Sequence, residues 1–369
     1  MTNKNNFFQE IEKSIHFNTI DRDILNDFLD TRNKIQRYAV GRNDEARSLC
    51  ENFKIDGIID DYYDYGSEWN NLPVVRSDEI LNKSIVVNCV SSISPISVSK
   101  NLSMNHNIQI IEYCDLVKST ENSLSLPWFC TEIISDFKKN IFKLYQIFML
   151  IDEEKSKNIF KNILKFRLSG NFSFMNSYSV RLNDQYFEDF MEFKNEIFVD
   201  AGGFDGDTTE EFCRRYPDYK KILFFEPSKI NLKKAKIRNK NLKNIKYFNL
   251  GLSDKKEVLL FNSSEGSASS INNSGSEKIN VDTLDSIVNH NVTFIKMDLE
   301  GWELKALKGC EDHIRNDNPK LAIAIYHKIS DFYEIPNYIL SINPNYSIYI
   351  RHYTEGWSES IMFFVPKKQ

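Results

Sequence analysis

The sequence lacks the marks of several common functional classes. Its six cysteines, Cys50, Cys89, Cys114, Cys130, Cys213 and Cys310, stand singly, with no CxxC or other metal spacing. A chain of 369 residues has no need of disulfide staples, so reduced, buried thiols are expected. No uncharged apolar run approaches the roughly 20 residues of a membrane span. The N-terminus, MTNKNNFFQEIEKS, has no apolar core of signal-peptide length. Positive charge is not in surplus either: the formal net charge is -5, which argues against a broad nucleic-acid surface. These absences lead to the expectation of a soluble, cytoplasmic protein with no membrane span and no nucleic-acid partner.

What is present is enough apolar material for sizeable cores, 41% of residues with Phe occurring 27 times. The length predicts two or three units. Residues 1–32 read as a helical lead-in, with Ile15, Ile20, Ile24, Leu25 and Phe28 at loosely helical spacing. Residues 33–118 alternate between strand and helix patterns, with strands expected at 37–41, 55–61, 84–91 and 108–117. That alternation predicts a small parallel, Rossmann-like α/β domain. Its first turn, AVGRNDEA, holds one glycine and no GxGxxG, so it is weak evidence for a nucleotide. In outline this segment is similar to the small N-terminal domain of bacterial sugar acyltransferases. Residues 119–184 repeat apolar side chains every three or four positions between 127 and 168, which predicts a helical linker. From 185 to 369 the alternation returns and ends in two adjacent strands suited to an antiparallel hairpin at a sheet edge. Within it, the Ser- and Asn-rich run 262–276 reads as a loop, and as a candidate lid.

Ligands of open parallel sheets sit beyond the carboxyl ends of the strands. In the last segment those ends carry Asp200 with the loop Gly202, Gly203, Phe204, Asp205 and Gly206, then Glu226, the stretch GLSD, Asp298 with LEG, His327 and His352. Glycines allow a sharp turn and a close approach to a ligand. Asp207 or Thr208 is expected to cap the following helix, with Glu210 completing a capping box. Glu226 follows Asp200 at a spacing near that of an acid holding ribose hydroxyls. A dinucleotide would bring a pyrophosphate to a turn lined by Asp200, Asp205 and Asp207, and the charges would repel. S-adenosylmethionine (SAM) brings a sulfonium, an ammonium and one carboxylate, so it is the expected cofactor.

The ordered motifs QYFEDF, VDAGGFDGDTTEEF, FFEP, NLGLSD, VDTLD, FIKMDLEGWELKALKG, PKLAIAIYHK, EIPNYI and YIRH span about 185–365. This half of the chain resembles the FkbM family of SAM-dependent methyltransferases. The resemblance implies an α/β fold of class I methyltransferase type: Rossmann-like, seven-stranded, mostly parallel, with an antiparallel last strand. It implies O-methylation of sugars and other hydroxylated small molecules. By position, Asp200, Gly202, Gly203, Gly206 and Thr208 fall in the SAM loop and Glu226 is the ribose acid. Leu252 and Ser253 lie beside the adenine, and Asp298 near the methionine moiety. Many members have an acid before the histidine after the fifth strand, where this sequence has Tyr326.

For chemistry, His327 is the first candidate for the base that removes an acceptor proton, with Asp298 or Glu300 to orient it and His352 in reserve. Asp298, Glu300 and His327 are also the kind of set that holds a divalent ion. Carboxylates two apart on one loop are equally explained by solvation, so no metal is assigned. The expected partner is a carbohydrate or nucleotide-sugar acceptor, and self-association is open as a role for the first domain. Two alternatives stay open: N-methylation of an amino sugar, and a non-catalytic nucleotide-sugar binding or assembly protein on the same fold.

Overall fold

The computed structural model describes residues 2–368 apart from 65, 106–107, 121–122, 263–269 and 272–276. The chain forms two compact units. One comprises residues 1–141, 160–180 and 353–358, and the other 142–159, 181–352 and 359–369. The stretch 119–184 therefore contributes to both units.

The first unit begins with α1 (Thr2–Ser14) and α2 (Arg22–Leu29), the latter capped by Asp21, whose side chain accepts from Asp23 and Ile24 N–H. Its strands are β1 (Arg37–Val40), β2 (Gly57–Ile59), β3 (Glu68–Trp69), β4 (Leu72–Val75), β5 (Ile85–Asn88) and β6 (Gln109–Glu112). They lie in the order β3-β4-β2-β1-β5-β6, parallel except for the short β3–β4 pair. Helices α3 (Asp44–Asn52), α4 (Pro95–Asn105) and α5 (Tyr113–Ser119) complete it. The strand expected over 108–117 stops at Glu112, and Tyr113–Val117 is helical. All five of those residues are buried, Asp115 included, and so short a run reads alike as strand or helix.

The strand order reverses at β1, which puts a crevice beyond β1 and β5. Residues 353–358 of the same unit meet the connection after β5. Glu355 N–H and Trp357 N–H donate to the carbonyls of Ile93 and Ser91 at 2.8 and 3.1 Å. The Glu355 carboxylate accepts from Ser97 N–H at 2.7 Å and Ser97 Oγ at 2.6 Å, in the first turn of α4. A helix N-terminus favours an anion, and here the chain supplies its own.

Helices α6 (Trp128–Leu150) and α7 (Glu154–Ser169) follow, as the periodicity of 127–168 predicts. The second unit carries β7 (Ile197–Ala201), α8 (Asp207–Arg215), β8 (Lys221–Phe225), α9 (Lys229–Arg238) and β9 (Ile245–Phe248). A four-stranded sheet holds β10 (Gly251–Leu252), β11 (Glu257–Asn262), β12 (Ser270–Ile271) and β13 (Glu277–Asp282). Then come α10 (Leu284–Ile287), β14 (Phe294–Met297), α11 (Glu303–Lys308), α12 (Glu311–Asn316), β15 (Lys320–Ala324), α13 (Asp331–Ile342), β16 (Tyr346–His352) and β17 (Ser360–Pro366). Most of the candidate lid lies outside the described residues.

The main sheet has seven strands in the order β16-β17-β15-β14-β7-β8-β9. Only β17 runs against the rest, pairing antiparallel with both β15 and β16. Its start at Ser360 therefore lies beside the end of β16 at His352, at the same edge as the carboxyl ends of the parallel strands. The edge strand β16 is covered rather than bare. Asp152 accepts from Ile348 N–H at 3.2 Å, Ser156 Oγ accepts from Ile350 N–H at 3.0 Å, and Arg351 pairs with Glu153 at 2.8 Å. Phenylalanines fill the space beside β7, with Phe198 stacked on Phe294 at 4.6 Å and in contact with Phe212. No described helix is long and apolar enough to cross a membrane.

Candidate active site

The carboxyl ends of β7, β8, β14 and β15, with the start of β17, bring together most of the titratable residues marked in the sequence. The loop after β7 turns through Gly202, Phe204 and Gly206, all with positive φ, of +75°, +49° and +88°. Its glycines answer to the protein itself. A Cβ on Gly202 would stand 1.9 Å from the Asp298 carbonyl oxygen, and one on Gly203 would meet the Phe224 ring at 2.3 Å. A Cβ on Gly206 would meet Asn239 Nδ2 at 2.5 Å. Gly206 is also the N-cap of α8, with no side-chain cap. This corrects the expected cap at Asp207 or Thr208: the left-handed turn uses the cap position, and Asp207 and Thr208 fall inside the helix. The Thr208 hydroxyl makes a 3.4 Å contact to Asp207, whereas Thr209 Oγ1 donates to Asp200 Oδ2 at 2.7 Å.

The expected free negative charge of the three loop acids is largely neutralised. Asp200 is fully buried and stands 3.2 Å from Lys296 Nζ, itself 3% exposed. Burial pulls the Lys296 pKa down, but Asp200 and Asp298 outweigh it and leave the ammonium above its ordinary range. Lys296 also donates to the Gly202 carbonyl at 2.7 Å, tying β14 to the loop. Asp205 pairs with Arg238 at 2.7 Å. Asp207 accepts from Thr208 N–H.

Glu226, after β8, accepts from Phe204 N–H at 3.0 Å through one oxygen and from Ser228 N–H at 2.8 Å through the other. Burial raises its pKa to about 7 against those two donors. Each oxygen keeps a second lone pair, so the carboxylate can still receive a pair of hydroxyls. Leu252 and Ser253 are buried at the end of β10, and Trp302 Nε1 donates to Ser253 Oγ at 3.2 Å.

The densest group lies beyond β14 and β15. Asp298 accepts from Tyr186 OH at 2.7 Å and from Tyr326 OH at 3.2 Å. The tyrosine in place of the family's acid is thus a donor that holds Asp298. Glu300 and Gly301 take left-handed φ of +52° and +86°. For Glu300 that is strain, and strain of this kind collects at functional sites. His327 Nε2 stands 3.3 Å from Glu300 and 3.5 Å from Asp298, and Nδ1 stands 3.0 Å from Glu303. These are ion-pair distances without hydrogen-bond alignment, and both ring nitrogens are buried. Burial alone would lower the imidazole pKa, yet Glu303, Glu300 and Asp298 reverse this and hold it well above the ordinary histidine range. Three carboxylates that favour the protonated ring work against the base role that the position of His327 suggested. Burial raises the pKa of Glu300, although His327 opposes it.

Reading the sequence missed Glu359, Glu303, Lys296 and Thr209. Glu359, with φ +63°, accepts from Gln185 Nε2 at 2.6 Å, and burial beside Asp298 lifts its pKa to about 7. Lys296 had a signal, as the single charge inside an apolar strand pattern. His352 is 2% exposed and bonded to Ser360 Oγ at 2.9 Å, which is a structural setting.

Residues 200–347 match the family model described as methyltransferase FkbM domain. The chain is also similar to the crystal structure titled methyltransferase FkbM from Methylobacillus flagellatus KT, with 20% identity, 98% of each chain covered and a TM-score of 0.72. Two more distant structures overlap about half of it. An rRNA methylase from Streptococcus thermophilus shows 17% identity over 48% of this chain and 89% of its own, with a TM-score of 0.33. Aeropyrum pernix fibrillarin shows 10% identity over 50% of this chain and 71% of its own, with a TM-score of 0.31. A search of curated proteins returns no match. The fold is that of class I methyltransferases.

Replacing Lys296 by Met leaves Asp200 buried without its charged partner. The loss expected in urea unfolding is about 3–5 kcal/mol. A stability equal to wild type would contradict the pairing.

Proposed function

We propose that this chain, a methyltransferase carrying an FkbM domain at residues 200–347, uses SAM to methylate a hydroxyl of a sugar, a glycan precursor or a similar small molecule. Glu226 carries the cofactor reading. Its carboxylate is fixed by the backbone of the β7–α8 loop on one side and of its own turn on the other. A ribose diol is the neutral partner such an oriented acceptor pair suits.

Bound SAM supplies a methyl group on a positively charged sulfur. The protein's part is to hold and align. Glu226 takes the ribose hydroxyls, while Leu252 and Ser253, braced by Trp302, form the wall for the adenine. Gly202, Gly203 and Gly206 let the loop close against β14, Phe224 and Asn239, with Asp200, Thr209 and Lys296 fixing its root. Thr208 keeps its place on the first turn of α8. Asp298 lies at the methionine end. Alignment of this kind is worth roughly 7–11 kcal/mol in a displacement reaction.

On the acceptor side, Asp298, Glu300 and Glu359 offer carboxylate oxygens suited to a polyol. Glu359, with its pKa near 7, is the group best placed in energy to receive the acceptor's proton. The surplus of carboxylates also suits an ammonium acceptor, so amino-sugar N-methylation is the second reading. Paired assays on matched hydroxyl and amino sugars separate the two. Six free cysteines, five of them buried, support a reducing, cytoplasmic setting.

Calorimetry tests the cofactor. Glu226→Gln should weaken SAM by about 1.5–3 kcal/mol and remove a gain in affinity that wild type shows as Glu226 ionises through pH 7. No SAM binding by wild type, or equal binding by the variant, would overturn this assignment. A separate assay tests the base. Glu359→Gln should lower kcat about 10²- to 10⁴-fold with SAM affinity kept, and should abolish a rise in kcat/KM through pH 7. Unchanged turnover would remove Glu359 from the mechanism.

A further inference from the structure

Three carboxylates converge on one buried imidazole. The His327 side chain is 7% exposed, and neither ring nitrogen has a hydrogen-bond partner. Glu303, fully buried, faces Nδ1 at 3.0 Å and is itself anchored by Leu299 N–H at 2.7 Å. The charge of the carboxylate at Nδ1 favours the ring N–H on that side, and in that tautomer the Nε2 lone pair faces Asp298 and Glu300. A lone pair facing two carboxylates is repulsive unless a positive charge stands between them.

Without an ion a proton on Nε2 meets that need, and a divalent cation that takes its place meets it with two charges. The structure has neither oxygen in line. The two stand at 3.3 and 3.5 Å, and one ligand atom from each of Asp298, Glu300 and His327 lies within 4.8 Å of the others. Around an ion with bonds of about 2.0–2.2 Å, neighbouring ligands stand roughly 3.0–3.5 Å apart.

We propose that Asp298, Glu300 and His327 form a binding site for one divalent cation of the Mg²⁺ or Mn²⁺ kind, with coordination positions left for hydroxyls of the acceptor. The assignment departs from the expectation drawn from the sequence, where two carboxylates on one loop carried no metal. The decisive feature is one that spacing does not reveal: the buried imidazole aimed between them, with Glu303 behind it and Tyr186 and Tyr326 holding Asp298. Two carboxylates and one imidazole form a predominantly oxygen donor set, which suits Mn²⁺ and Mg²⁺. The proposed role rests on the reading of this crevice as the acceptor side of a methyltransferase. A hydroxyl coordinated there gives up its proton more readily, and that proton passes to the carboxylate of Glu359.

The test is direct binding, independent of turnover. Chelator-treated wild-type protein is titrated with MnCl₂ near pH 7.5, and free Mn²⁺ is read by electron paramagnetic resonance. The protein should remove one Mn²⁺ per chain from the free signal, and Mg²⁺ should displace it. Glu300→Gln, which preserves side-chain volume, and His327→Ala should each weaken binding about ten-fold or more. Calorimetry with SAM on Glu300→Gln should match wild type, so that loss of the metal site is distinguished from failure of the cofactor reading. A free-Mn²⁺ signal unaffected by wild-type protein would overturn the proposal. So would binding that both variants leave as tight as before.

Discussion

The constraint on which the second unit depends is the cost of keeping carboxylates out of water. Asp200, Glu226, Asp298, Glu303 and Glu359 all gather where the parallel strands end. Each is settled differently. Asp200 has a buried ammonium, and Glu226 has two backbone donors and a pKa near neutrality. Asp298 has two tyrosine hydroxyls. Glu303 and Glu300 share one imidazole, which leaves the group beyond β14 and β15 short of positive charge. The arrangement is divided by sign: a neutralised floor under the glycine loop, and a surplus of acid beyond β14 and β15.

Much of the frame was legible in the sequence. Strand ends at Asp200, Glu226 and Asp298 follow from apolar runs that stop at an acid, and the terminal hairpin follows from two adjacent apolar runs. The FkbM motifs lie largely in residues 200–347, which match the family model of that description. Other features were hidden for physical reasons. Tyr113–Val117 is apolar but for Asp115, and five residues are too few for a period to separate helix from strand. The β3–β4 pair is too short to show alternation. The glycines of the β7–α8 loop looked like ligand contacts because a sequence does not show which neighbour needs the space; Asp298, Phe224 and Asn239 do.

The site was legible in residue identity more than in role. His327 sits where a strand-end base was sought, but three acids around it favour its protonated form, and distances of that kind are not written in spacing. Glu359 escaped notice because it precedes the last strand. Only the reversed direction of β17 returns it to the edge where the parallel strands finish. Thr209 escaped because its neighbour Thr208 matched the motif.

The central claim is that the acids beyond β14 and β15 impose their charge on His327. Nitrogen-15 NMR of the His327 ring in chelator-treated protein tests it most directly. The account predicts that both ring nitrogens remain protonated at pH 7.5, above the ordinary value of 6.5. A ring that loses its proton at or below 6.5 would contradict it.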